Sequence, residues 1–242
     1  MQLNIDSLKA AIAKKGYKWF DTMNIIGIRS TIQVPDVFND LLCVVWKQKE
    51  MPANLSTLNK QKWLNANLFY GKDGDPLDLD GKLGGNTDYA LGEYAKWVGK
   101  ERMRSYAITT DPGTYYLEHP LSNLGAAVLK PGQHLDAWAL GYHHSKEDHP
   151  ALVQVAPITV YRDNDKDNVA ESSKTEETGK FGINIHGSNK NGITTSIGKW
   201  SAGCQVFNEW NKKEEFLKIC RNFEADLKKR FTYTLLLEAD LV

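Results

Sequence analysis

The stretch most able to do chemistry is 182–207, GINIHGSNKNGITTSIGKWSAGCQVF. It holds a histidine, His186, and a cysteine, Cys204, separated by 18 positions. A thiol attacks a carbonyl only as thiolate, and a free cysteine has a pKa of about 8.5, so it needs a base beside it. It also needs backbone N–H groups for the oxyanion that forms, and small neighbours that let a carbonyl approach. Ala202 and Gly203 supply the small neighbours, and the N–H groups of Gly203 and Cys204 are the expected oxyanion donors. His186 supplies the base if the loop doubles back, and a strand–loop–strand hairpin is the expected device. The pattern alone also fits a buried structural pair.

The other metal- and thiol-bearing residues have plainer readings. Cys43 lies in the apolar run LLCVVW and Cys220 on the inward face of a helix, where free cysteine packs as a small hydrophobe. None of the three cysteines forms a CxxC pair, so neither a disulfide framework nor a zinc motif is expected. His143, His144 and His149 in GYHHSKEDHP could ligate a metal, but the segment reads as a polar loop between strands. The aspartates of 70–86 and of DNDKDN at 163–168 read as solvated turns rather than calcium loops, since nothing closes an EF-hand. No metal and no cofactor is expected.

Hydrophobic periodicity gives the elements that must position the pair. A helix is expected over 7–20, capped by Asp6 or Ser7. Strands are expected at 25–30, 41–46, 104–110, 113–117, 126–129, 137–141, 151–161, 182–186, 205–207 and 231–239. DPG at 111–113 and KPG at 130–132 mark turns, and 169–180 is expected to be mobile. A long helix over 209–230 carries Trp210, Phe216, Ile219, Cys220, Phe223 and Leu227 at helical spacing, with Asn208 as its expected cap. Its terminal Lys228, Lys229 and Arg230 suit the helix dipole better than a binding patch. Trp138 and Tyr142 are read as core aromatics.

The chain has 242 residues, enough for a sizeable core, with 41% hydrophobic and 25% charged residues. Lys+Arg and Asp+Glu both number 30, so the formal net charge is zero and no basic surplus points to nucleic acid. No apolar run approaches the length of a membrane helix, so no membrane insertion is expected. The first residues lack the apolar centre of a secretory signal, which gives an expectation of cytoplasmic synthesis without a signal peptide.

His186-Gly187, a loop, and Ser201-Ala202-Gly203-Cys204 resemble the catalytic motif of the L,D-transpeptidase (YkuD-type) family. That family places a His followed by Gly or Ser ahead of Ser/Thr-His-Gly-Cys. Lys130-Pro131-Gly132 resembles its Thr-Pro-x-Gly strand entry. The likeness is firm over 180–207, loose over 103–242, and absent before residue 100. The order of the pair sets papain-like enzymes aside, since there Cys precedes His. Sortases place His first but want Thr-Leu-x-Thr-Cys and a later Arg.

The resemblance implies a mainly β, sandwich- or barrel-like catalytic domain at 103–242, with one long C-terminal helix. An N-terminal helix/strand region at 1–102 would pack on it. It implies that Cys204 acylates on a peptidoglycan stem peptide, that His186 is the base, and that the Gly187 carbonyl orients the imidazole. Ser201, Trp200 and His144 are the implied substrate-binding residues. The acceptor would decide between cross-linking, carboxypeptidase action and D-amino-acid exchange. Two departures stand out: Ala202 replaces the motif's His, and Gln205-Val206 replaces an apolar residue followed by Arg or Asn. Without a signal peptide, reaching the periplasm or cell wall implies a secretion-system, phage or immunity-protein partner, as for an antibacterial effector or a phage-borne wall enzyme. Two alternatives are a non-catalytic phage or wall-binding protein with a decayed site, and a cysteine peptidase or amidase on another substrate.

Overall fold

A computed structural model describes residues 3–32, 34–145, 147–172 and 175–241. Lys146 of the histidine-rich loop, and Ser173 and Lys174 of the stretch expected to be mobile, lie outside the described residues. The protein is mainly β, with an eight-stranded closed barrel, a three-stranded sheet and a few helices.

The barrel strands are β1 (Met23–Arg29), β2 (Asp40–Lys47), β3 (Glu101–Thr109), β5 (Gly132–Tyr142), β6 (Pro150–Gln154), β9 (Ile185–Gly187), β10 (Gln205–Phe207) and β11 (Phe231–Leu237). Their order around the ring is β1-β11-β5-β6-β9-β10-β3-β2. The smaller sheet runs β4 (Ala126–Leu129), β7 (Ile158–Asp163), β8 (Glu176–Gly179). Strand β3 pairs with β2 from Glu101 onward, and β1 pairs with β11, so residues before and after position 102 share one barrel.

Strands β1 and β2 are nearly continuous apolar runs because both faces are covered. Met23 and Ile25 with Leu42, Val44 and Trp46 join the main cluster, to which all eight barrel strands and the C-terminal helix contribute. Ile26 and Ile28 with Cys43 and Val45 face the other way, under Leu8, Ala11 and Ile12 of α1 (Ile5–Lys14). The alternation of side chains along a strand sorts the two sets. A third cluster, including Leu64, Phe69, Leu77 and Ala90, holds α2 (Thr57–Ala66) against α3 (Gly85–Trp97).

Several expected elements differ. Asn4, not Asp6 or Ser7, caps α1: its Oδ1 accepts the Ser7 N–H at 2.9 Å, while Ser7 Oγ accepts the Asn4 N–H at 3.1 Å. The expected strand at 113–117 is instead a short helix, α4 (Thr114–Glu118). Its first turn is fixed from outside, by the Thr114 N–H on Asp36 at 3.2 Å and the Gly113 N–H on the Ser201 carbonyl at 2.9 Å. The single strand expected over 151–161 is two, β6 and β7, in different sheets. Pro157 has no N–H to give a ladder, and the Val155 and Ala156 N–H groups turn onto the Ala137 carbonyl at 2.8 and 3.3 Å. The C-terminal helix α5 (Trp210–Phe223) stops short of Arg230. Glu209, without a side-chain bond, takes its N-cap in place of Asn208.

Candidate active site

His186 and Cys204 come together, but not through a hairpin. β9 and β10 are parallel neighbours, with Gln205 opposite Ile185 and Val206 opposite His186. The intervening chain, 188–204, therefore crosses over and re-enters the sheet in the same direction. Asp36 fastens this crossover, accepting the Gly198 N–H at 2.7 Å and the Ser196 hydroxyl.

The turn carrying Cys204 is held from below. Ser201 is fully buried; its hydroxyl donates to the Cys204 carbonyl at 2.8 Å and accepts the Gly203 N–H at 3.1 Å. Ser201 thus braces the turn instead of facing a substrate. The same bond removes the Gly203 N–H from the expected oxyanion pair. The N–H of Cys204 has no acceptor among the described residues and remains the donor at this turn. Gly203 has φ +124°, and a Cβ there would stand 2.3 Å from the Ala127 carbonyl oxygen, so only glycine lets β4 lie against the turn.

Gln205, a departure from the family motif, is a second brace. It is fully buried; its amide donates to the carbonyls of Gly203 at 3.3 Å and Thr110 at 3.5 Å, and its Oε1 accepts the Tyr233 hydroxyl at 2.9 Å. Tyr233 reaches it across the barrel because position 27 is glycine: a Cβ there would lie 1.8 Å from the tyrosine oxygen.

The Cys204 side chain is 8% exposed and reaches the floor of a cleft of about 300 Å³. Its Sγ lies 3.4 Å from the Asn184 N–H and 3.6 Å from the Gly182 carbonyl, to which the thiol donates. Burial pushes this thiol up to about 11, with the Asn184 N–H pulling weakly the other way. His186 is buried; its Nδ1–H donates to the Gly187 carbonyl at 2.9 Å, which leaves the lone pair on Nε2. That Nε2 is buried without a hydrogen-bond partner. Burial, and then the neighbouring His143, hold the imidazole well below its ordinary pKa, so it rests as a neutral base.

The loop of histidines, read from the sequence as a polar loop, brings two of its rings to the site. His143 stacks on His186, ring centroids 3.8 Å apart and 17° between planes. One nitrogen of each ring and the Cys204 sulfur all lie within 4.8 Å of one another. The Asn184 Oδ1 accepts the Gln154 N–H at 2.9 Å, so its amide nitrogen faces His143 Nδ1 at 3.0 Å and the neutral ring carries its proton on Nε2. These three side chains could hold a metal ion, though two stacked rings aim their nitrogens side by side and not at one point. His149 Nε2 lies 3.1 Å from the Gly187 carbonyl, so that oxygen receives two imidazole N–H groups. No spacing rule distinguishes these residues from an ordinary polar loop.

His144, the expected substrate residue of this loop, is exposed and lines the cleft with a left-handed backbone at φ 50°. Trp200 also lines it, 39% exposed. Trp138 is core, donating its N–H to the Ile183 carbonyl at 2.9 Å, whereas Tyr142 is half exposed. Gln154 fastens the cleft floor by accepting the Phe181 and Ile183 N–H groups at 2.9 and 3.1 Å.

None of the described helices is long and apolar enough to cross a membrane. No protein-family model, no curated protein and no solved structure matches this chain.

Proposed function

We propose that the protein is a cysteine-dependent acyl transferase of the L,D-transpeptidase type, acting on peptidoglycan stem peptides. The observation that carries this reading is the buried, unpartnered Nε2 of His186, on a ring with one nitrogen within 4.8 Å of the Cys204 sulfur, where Cys204 lines an open cleft. The motif residues surrounding the pair, His186-Gly187 and Ser201 to Cys204, support the substrate class, and the β-rich barrel is compatible with the family's catalytic domain.

In this reading a rotation of the Cys204 side chain carries its S–H from the Gly182 carbonyl to His186 Nε2. Nε2 takes the proton, and the imidazolium is steadied by the Nδ1–H bond to Gly187. The sulfur attacks the stem-peptide carbonyl, and the oxyanion is met by the Cys204 N–H. His186 returns the proton to the departing amine, leaving a thioester. Water, a stem-peptide amine or a free D-amino acid then takes the acyl group. His143 stacks against the base, ring centroids 3.8 Å apart. Its substrate would place the enzyme's action in the periplasm or cell wall, reached by a secretion system, a phage particle or lysis.

The test is mass analysis of muropeptides after incubation with wild type and Cys204→Ala. Loss of one D-alanine, a new cross-link or an exchanged terminal residue, each absent with Cys204→Ala, is the expected result. Unchanged muropeptides with the wild type would overturn this reading and leave a cysteine peptidase or amidase on another substrate, or the second, non-catalytic wall-binding reading, in its place. The raised thiol pKa and the absence of a resting S–H to nitrogen bond are the observations that favour that second reading.

A further inference from the structure

The cleft above Cys204 has a one-sided charge. Among its lining residues are two permanent cations, Arg162 and Lys199, and no aspartate or glutamate. Arg162 comes from β7, in the smaller sheet, and is only 9% exposed. Its guanidinium is fixed in three ways: Nε pairs with Glu177 at 2.7 Å, Nη1 donates to the Gly125 carbonyl at 3.2 Å, and the plane lies 4.9 Å from the Phe181 ring centroid. Its Nη2 has no partner among the described residues. Glu177 is not part of the cleft lining, so it anchors the guanidinium from one side and does not fill the cleft. Lys199 leans over the Tyr115 ring, Nζ 3.9 Å from its centroid. A guanidinium held in the cleft lining with one nitrogen unspent, together with an exposed ammonium from the same lining, is arranged for an anion.

We propose that Arg162 and Lys199 form a carboxylate-binding subsite of the Cys204 cleft. The occupant is the free carboxylate of the residue that the thiol displaces. This rests on the reading of Cys204 as the acylated nucleophile. It makes the enzyme exo-acting: a donor whose last residue is amidated, or continues into more chain, brings no anion to Arg162. Attack, proton transfer to the amine and thioester formation are unchanged; the subsite adds orientation of the scissile bond over Sγ. Trp200, on the same rim, supplies apolar wall rather than charge.

Two measurements test this. The first compares alkylation of Cys204 by iodoacetate and iodoacetamide, which differ in charge at nearly the same size; Cys43 and Cys220 are fully buried and do not compete. The expected ratio of iodoacetate to iodoacetamide rates is about fivefold or more above that of an unstructured cysteine peptide. Arg162→Gln and Lys199→Gln should each lower it, and Arg162→Lys should keep most of it, with the iodoacetamide rate nearly unchanged throughout. Lys199 is exposed, so its variant reports even if Arg162→Gln fails to fold. A wild-type ratio equal to the peptide's, or one indifferent to both substitutions, overturns the subsite. The second compares turnover of an acylated tripeptide extended by D-alanine or by D-alanine amide. The free acid should be favoured about tenfold or more in kcat/KM, and Arg162→Gln should erase the preference. Equal turnover of both donors overturns the subsite and leaves the acyl-transfer reading standing. Charge-selective alkylation with turnover of neither donor overturns the acyl-transfer reading and leaves the anion site standing.

Discussion

At the scale of single residues, the resting site is a neutral thiol beside a neutral imidazole and not a preformed ion pair. Burial favours the uncharged form of both groups, raising Cys204 to about 11 and holding His186 well below the usual histidine value. The resting thiolate fraction is therefore small at neutral pH and grows as solvent pH rises. In the absence of substrate, alkylation of Cys204 by iodoacetamide should climb about tenfold per pH unit from 7 to 10, with no plateau near 8.5. Stopped samples analysed by mass spectrometry give the profile directly. A rate independent of pH between 6 and 8 would reveal a thiolate–imidazolium pair, and the neutral description would fall. This profile separates the chemical state of the pair from its identity as the catalytic pair, which Cys204→Ala addresses.

At the scale of elements, the sequence already displayed the pair, the turn residues and most of the strands. β4 and β10 match their expected bounds, because short apolar runs between turn signals leave little choice. What escaped was decided by partners distant in the chain. The parallel pairing of β9 with β10 depends on what covers the crossover, and nothing within 188–204 encodes it. β8 reads as polar linker and becomes a strand only because β7 offers an edge. Helix α3 opens on Gly84-Gly85-Asn86, which reads as loop. Gln205 reads as a departure from an apolar motif position; its surroundings make it a structural strut between β10, the Cys204 turn and β11. Tyr233→Phe tests the strut. It removes one hydroxyl, leaves Gln205 Oε1 buried without that donor, and should lower unfolding stability by about 1–3 kcal/mol in urea titrations. It should also quicken Cys204 alkylation several-fold at fixed pH, because the turn beneath the thiol is loosened. Unchanged stability and unchanged alkylation together would show that Gln205 does not hold the turn.

At the scale of the whole molecule, the site and the closure of the barrel draw on different cores. The cleft stands over the main cluster, with Ile183 in both the cleft lining and that cluster. The seam where β1 meets β11 is covered on its other face by α1, through Leu8, Ala11, Ile12 and Leu236. That seam joins segments from opposite ends of the chain, Ile25 opposite Tyr233 through Arg29 opposite Leu237, so it carries a large loop-closure cost that packing must offset. Leu8 is fully buried in this cluster. Leu8→Ala should therefore lower global stability by about 2–5 kcal/mol, through lost transfer energy and the cavity left behind. Under native conditions, where the variant is still folded, the rate and pH profile of Cys204 alkylation should match the wild type, since no residue of the α1 cluster touches the cleft. Urea unfolding and alkylation of the same sample read the two quantities side by side. If Leu8→Ala shifts the alkylation rate more than a few-fold while near-ultraviolet circular dichroism still reports native packing, then α1 is mechanically coupled to the thiol. The N-terminal helix would then belong to the working part of the site and not only to the closure of the barrel.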